Sequence, residues 1–281
     1  MHEASASTLS TYTASDGENL AVQDWPLPDR TQPRGLVLLV HGLGEHAGRY
    51  DQVAERLNAW GYAVRGYDQY GHGESGGPRG GLTTRTRLVD DLADLVANAR
   101  QRQPGVPIIV LGHSMGGLVA ALFALDNPGQ LDGLVLSSPA LGTRVQGVQK
   151  LLLRTLPRVL PNLRVGNGLD TQYLSHDPAV VQAYRDDPRV HDRISARLAA
   201  FLTGEGSSVV EQAPRWRVPT LLLYAGQDQL VDPAGSRRFA ELAPPGVVSA
   251  RCFEPLYHEI FNELDAQPVF DALRNWLDAR F

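Results

Sequence analysis

The segment "VLGHSMGGLVA" at 110–120 places Ser114 between glycines, directly after an aliphatic run. Gly112-His113-Ser114-Met115-Gly116 fits G-x-S-x-G, the pattern of a strand-to-helix elbow that pushes a serine hydroxyl out of a sharp turn. A helix starting at that point sets free N–H groups and partial positive charge beside the hydroxyl. The pentapeptide alone also suits a structural turn. The strand expected before it and the helix expected after it favour a nucleophile.

A serine hydroxyl is a weak nucleophile and needs a base that is itself oriented by a carboxylate. In this setting the expected chain order is Ser, then Asp or Glu, then His. His258, in "EPLYHEIFN", is the one histidine after residue 213, whereas His176 and His191 precede the late strands. Asp228 ends "TLLLYAGQD" and is the expected carboxylate. Asp232 competes with it, but a place directly before Pro233 suits a helix N-cap. Two N–H donors are also needed for the oxyanion of a tetrahedral intermediate. Met115, the residue after the nucleophile, supplies one. Leu43, in the glycine-rich loop His41-Gly42-Leu43-Gly44, is the candidate for the other, with His41 expected to buttress the loop.

The elements that must carry these residues follow from periodicity. "GLVLLV" (35–40), "AVRGYD" (63–68), "VPIIVL" (106–111), "LDGLVLSSPA" (131–140), "TLLLYAGQD" (220–228) and "VVSARCFEP" (247–255) have strand-like runs. Helical spacing falls between them at 50–62, 86–103, 117–125, 234–243 and 268–281. A hairpin around Asp16-Gly17 precedes the first run. Alternating strands and helices predict an α/β fold with a mostly parallel central sheet, helices on both faces, and a site at the carboxyl ends of the strands. The alternation stops between about 141 and 213, which carries Pro157, Pro161, Pro178 and Pro188. The expected organisation is a core of 1–140 and 214–281 with a helical cap inserted at 141–213.

Composition narrows the function further. With 43% apolar and 20% charged residues, the chain has the balance of a soluble globular protein. A net charge of −5, with Lys150 the only lysine, argues against nucleic acid as partner. Cys252 is the sole cysteine, and His41, His46, His72 and His113 lack metal-ligand spacing, so neither a disulfide nor a metal site is expected. "GHSMGG" has no lysine after its glycines, which argues against a phosphate loop. The first residues lack a secretory signal and no apolar run is long enough to span a membrane, so a cytoplasmic protein is expected.

"HGLGEHAGRY" (41–50), "GYDQYGHGESGG" (66–77), "GHSMGG" (112–117), "AGQDQLVD" (225–232) and "YHEIFNE" (257–263) together resemble the monoglyceride lipase group of α/β-hydrolases. That resemblance implies hydrolysis of a monoacylglycerol to glycerol and a fatty acid without a cofactor. It also implies that Leu43 and Met115 form the oxyanion hole. By the same resemblance Glu45 and Arg49 are candidates for binding the glycerol end, with a structural Arg–carboxylate pair as the alternative. A lysophospholipase, a general carboxylesterase and an aminopeptidase are the rival enzymes. A hydrolase-like protein that only binds a small apolar ligand is the non-catalytic rival.

The expected cap fits a lipid substrate. From Thr143 to Leu169 it carries Arg144, Lys150, Arg154, Arg158 and Arg164 and no acidic residue. Lys150, Arg154 and Arg158 recur every four residues beside Leu151–Leu153, Leu156, Val159 and Leu160. A basic amphipathic helix of this kind, which Pro157 is expected to end, can rest transiently on an anionic membrane surface. Its leucines can equally line an acyl tunnel or pack on the core.

Overall fold

A computed structural model describes residues 7–28, 31–144 and 155–281. The hairpin forms as β1 (Thr8–Thr13) and β2 (Asn19–Trp25), turned at Gly17 with φ of 89°. Then follow β3 (Leu36–Val40), α1 (Asp51–Ala59), β4 (Ala63–Tyr67), α2 (Arg87–Arg102), β5 (Ile108–His113), α3 (Met115–Asp126) and β6 (Gly133–Ser137). The last quarter supplies β9 (Thr220–Ala225), α6 (Pro233–Leu242), β10 (Val248–Phe253) and α7 (Gln267–Asp278). The sheet runs β1-β2-β4-β3-β5-β6-β9-β10. β1–β2 and β2–β4 pair antiparallel, and every other pair is parallel.

Why the central strands read as unbroken aliphatic runs is visible in the packing. Leu36, Leu38 and Val40 of β3 point into one apolar layer, while Val37 and Leu39 point into the other. Ile108 and Val110 of β5 divide from Ile109 and Leu111 in the same way. Strand side chains alternate between faces, and here both faces are covered, so every position is apolar. α3 carries apolar residues all round because it lies under α2 and beside the helix that precedes β9, with only Leu122, Leu125 and its terminal Asp126 reaching water.

Between β6 and β9 the described residues add no strand to the main sheet. They form β7 (Arg164–Gly166), α4 (Pro178–Asp186), β8 (Arg193–Ser195) and α5 (Ala196–Gln212). β7 and β8 pair antiparallel as a two-stranded ribbon, which adds a short strand pair to the helices expected of a stretch without strand-like runs. Three-residue strands are too short to show a period-2 pattern, so their pairing is set by tertiary contacts. Residues 155–159 are helical, so Pro157 lies within the helix and does not end it. Proline takes a helical φ itself, and what it costs a helix is its own N–H bond and the crowding of the turn before it. Lys150, Leu151–Leu153 and Arg154, on which the basic amphipathic reading depends, lie outside the described residues. No helix among the described residues is long and apolar enough to cross a membrane.

Candidate active site

The parallel strands aim their carboxyl ends at one edge, and the reactive residues gather there. Ser114 follows β5 with φ of 51° and ψ of −117° and stands at the N-terminus of α3. A positive φ is strained for a residue with a Cβ and marks an elbow that the surroundings enforce. Its flanking glycines are required by space. A Cβ on Gly112 would come within 2.5 Å of Gly116 O, and one on Gly116 would run into the carbonyls of Val40 and His41. With the backbone as it stands, the turn therefore needs hydrogen at both positions. The Ser114 N–H donates to Ser137 O at 3.0 Å, which ties the elbow to β6.

His258 follows β10, and its Nδ1 donates to Asp228 Oδ2 at 2.6 Å. Asp228, after β9, is held by two further bonds, its Oδ1 accepting the N–H groups of Leu230 and Val231 at 2.9 Å each. Burial opposes the charge on His258, but the Asp228 carboxylate outweighs it, with Glu259 and Glu45 adding, and lifts the imidazole above the ordinary value of 6.5. Burial likewise opposes the charge on Asp228, yet His258 and the two backbone donors hold its carboxyl below 3.8. Asp232 does not enter the site. Its side chain accepts the Ala234 N–H and caps α6.

The loop after β3 is pinned by buried polar contacts. His41 Nδ1 donates to Gly42 O at 2.7 Å, and its Nε2 accepts the Gln69 N–H at 2.8 Å. Gln69 Nε2 donates back to His41 O at 2.6 Å, so His41 buttresses the loop as its sequence position suggests. Glu45 Oε1 accepts the Gly42 N–H at 2.5 Å and the Tyr50 hydroxyl at 2.8 Å. Leu43 and Met115 both line the cavity beside Ser114. Met115 is the first residue of α3, so its N–H has no acceptor within the helix.

Glu45 and Arg49 do form an Arg–carboxylate pair, and a third residue completes it. Arg49 Nη1 donates to Glu45 Oε2 at 2.5 Å and to Glu259 Oε1 at 2.7 Å, while its Nη2 donates to Glu259 Oε2 at 2.9 Å. Its guanidinium also lies 4.7 Å from the Tyr184 ring centroid. Burial disfavours the charge on Glu45, but Arg49, His113, His41 and the Gly42 N–H outweigh it and bring its pKa to about 2. Glu45 still reaches the cavity wall, as does Glu259. His113, with its ring 4.7 Å from that of His258, is pushed down to about 4 by burial and by its neighbour, and so is neutral above that pH.

Ser114 and His258 open on one cavity of about 440 Å³. Among the described residues Leu43, Met115, Leu230 and Val231 give it apolar walls from the core side. Val165, Leu169, Leu174, Ile194 and Leu202 do so from the segment between β6 and β9. Polar groups are few, as in small-molecule sites generally. Glu259, Asn167 and Tyr184 belong to this wall and are absent from the sequence reading. Glu259 had a signal, an acidic residue next to the candidate base, but its partner Arg49 is far away in the chain. Asn167 and Tyr184 had none, because only the folding of the inserted segment brings them in.

The sequence profile of the family described as "Serine aminopeptidase, S33" matches residues 31–265. The monoacylglycerol lipase of Mycolicibacterium smegmatis is 38% identical over 270 residues, 95% of each chain. The monoglyceride lipase of Homo sapiens is 33% identical over 272 residues, 95% of this chain and 89% of that one. The crystal structure of the Paleococcus ferrophilus monoacylglycerol lipase aligns with a TM-score of 0.84 at 34% identity, covering 93% of this chain and 99% of the other.

Proposed function

The chain belongs to the family described as serine aminopeptidase S33 and has the α/β-hydrolase fold, and from that premise we propose that it is a serine ester hydrolase acting on monoacylglycerols. His258 Nε2 takes the Ser114 proton as Ser114 Oγ bonds to the ester carbonyl carbon. The N–H groups of Leu43 and Met115 hold the oxyanion that forms. As the C–O bond to glycerol breaks, His258 returns the proton to the departing oxygen and leaves an acyl-serine. Water, deprotonated by the same imidazole, then releases the fatty acid and restores the hydroxyl.

The observation that carries this reading is that a strained serine and a carboxylate-paired histidine face one largely apolar cavity. An acyl chain suits such walls, and burial of its methylenes is favourable by about 0.8 kcal/mol each. The similarity to proteins described as monoacylglycerol lipases supports the substrate. A peptidase reading needs a free carboxylate for a substrate amine, and the inserted segment supplies none to the cavity wall among the described residues. Asp177 caps α4, Asp186 accepts from Gln182, and Asp187 pairs with His46 at 2.8 Å. Glu45 and Glu259 do reach the wall, but Arg49 spans both.

The segment 141–213 acts as the cap over this cavity and as its contact with lipid. Val159 and Leu160 are 75% and 51% exposed, next to Leu163, Val165 and the basic Arg158 and Arg164. Val165 also lines the cavity, so the exposed apolar surface is continuous with the wall. Sedimentation with anionic vesicles tests the contact: Leu160→Asp with Arg164→Glu should abolish binding, and binding that survives both changes sinks it. The substrate is tested by kcat/KM for a monoacylglycerol, a diacylglycerol, a lysophospholipid and an aminoacyl anilide. The monoacylglycerol should lead. A lead for the lysophospholipid overturns the substrate, and one for the anilide overturns the ester reading.

A further inference from the structure

The backbone that carries His258 is held by residues 173–176, and one buried carboxylate joins the two segments. The side chain of Glu263 is 1% exposed. Its Oε1 accepts the Tyr257 N–H at 2.6 Å and His176 Nδ1–H at 2.9 Å, and its Oε2 accepts the His176 N–H at 3.1 Å. The next two N–H groups turn the same way, His258 donating to Tyr173 O at 3.4 Å and Glu259 to Leu174 O at 2.8 Å. Ser175 Oγ closes the far side by donating to Asn262 O at 2.9 Å. The His176 ring stacks on Tyr257 with centroids 3.6 Å apart, and Tyr173 meets Tyr257 edge-on at 5.6 Å.

Asp228 is fixed by its own loop through Leu230 and Val231. The 2.6 Å approach of His258 to it therefore depends on where residues 257–259 are held. Without the Glu263 carboxylate, the part-buried N–H groups of Tyr257 and His176 and the partly exposed His176 imidazole lose their acceptor, and the Tyr257 backbone, least able to turn to water, must move to find another. We infer that Glu263 is a positioning residue, which sets the approach of His258 to Asp228 by tying the Tyr257 backbone to the segment at 173–177. The inference rests on the reading of His258 as the base.

Glu263→Gln tests it, since the shape is kept while an NH2 group meets a donor. The readouts are kcat and KM per titrated active site with a p-nitrophenyl ester, the acid limb of kcat/KM, and the low-field imidazole proton of the His258–Asp228 bond by NMR. Displacement of a reacting group by even an ångström is costly, so kcat per site should fall about tenfold or more, with KM little changed. The acid limb should move down toward the ordinary histidine value of about 6.5, and the low-field signal should weaken. His176→Phe keeps the ring stack at a side chain that is 36% exposed, so it provides a folded second variant. It should shift the limb the same way by less, and adding it to Glu263→Gln should change nothing more. A purely structural role would lower Tm and the titratable fraction while kcat per site, the limb and the NMR signal stay as in the unsubstituted protein. That outcome overturns the inference. An unsubstituted protein without esterase activity would instead strike the proposed function.

Discussion

Asp228→Asn changes one oxygen into an NH2 group and leaves the size of the side chain unchanged. Oδ1 accepts two peptide N–H groups at 2.9 Å, and Oδ2 accepts His258 Nδ1–H at 2.6 Å. An NH2 group at the Oδ1 position would face two donors that cannot change. At the Oδ2 position it faces a ring nitrogen that can exchange its tautomer. The amide therefore turns its NH2 toward His258 and makes Nδ1 the acceptor. The ring proton then sits on Nε2, the atom that has to take the Ser114 proton, and base catalysis stops. The negative charge that stabilises the imidazolium is lost in the same step. The expected fall in kcat is roughly a thousand- to ten-thousand-fold, or about 4–5.5 kcal/mol in the barrier. Initial rates with a p-nitrophenyl ester measure it, with circular dichroism as the check on folding. A folded Asp228→Asn protein within about tenfold of the unsubstituted rate would refute the reasoning. So would Asp232→Asn producing the loss instead.

The pH–rate profile should show an acid limb above 6.5, because His258 has to be neutral to act and Asp228 lifts its pKa; a limb below that value contradicts the pairing. For stability the signs differ between the partners. The contribution of His258 is full below 6.5 and fades as pH rises through its raised pKa, while that of Asp228 holds above 3.8 and fades as pH falls through its lowered one. Gly116→Ala drives a Cβ into the carbonyls of Val40 and His41 and should cost about 1–3 kcal/mol, read as a lower Tm. Gly129→Ala, which meets nothing within 4 Å, should leave Tm unchanged. Arg49→Met strands Glu45 and Glu259 as buried carboxylates and should cost about 3–5 kcal/mol in urea unfolding. An unchanged midpoint would mean that Arg49 does not hold them.

What the sequence reveals and conceals follows from the range of each interaction. β3, β5 and β9 are legible as aliphatic runs because both their faces are buried, and the elbow is legible because G-x-S-x-G is a local pattern, although Gly116 is demanded by the distant Val40 and His41 carbonyls. The roles of Asp228 and Asp232 are separable because Pro233 is adjacent and marks a helix start. The ribbon of β7 and β8 is not legible, since Arg164-Val165-Gly166 is exposed throughout and Arg193-Ile194-Ser195 buries its last two residues together, so neither strand carries a period-2 pattern. Glu45 and Arg49 stand out in the first loop, but Glu259, which completes their charge balance, arrives 210 residues after Arg49. His191 is similarly hidden. Its N–H meets Gly44 O at 2.9 Å only because the inserted segment folds back over the loop.

Everything proposed for this site depends on Ser114 as the nucleophile. Incubation with a fluorophosphonate probe, followed by intact mass and peptide mapping, reads it directly. One phosphonyl group per chain is expected, attached to Ser114, with neither labelling nor ester hydrolysis in Ser114→Ala. Labelling at another residue, or a Ser114→Ala protein that hydrolyses esters at the unsubstituted rate, would contradict it.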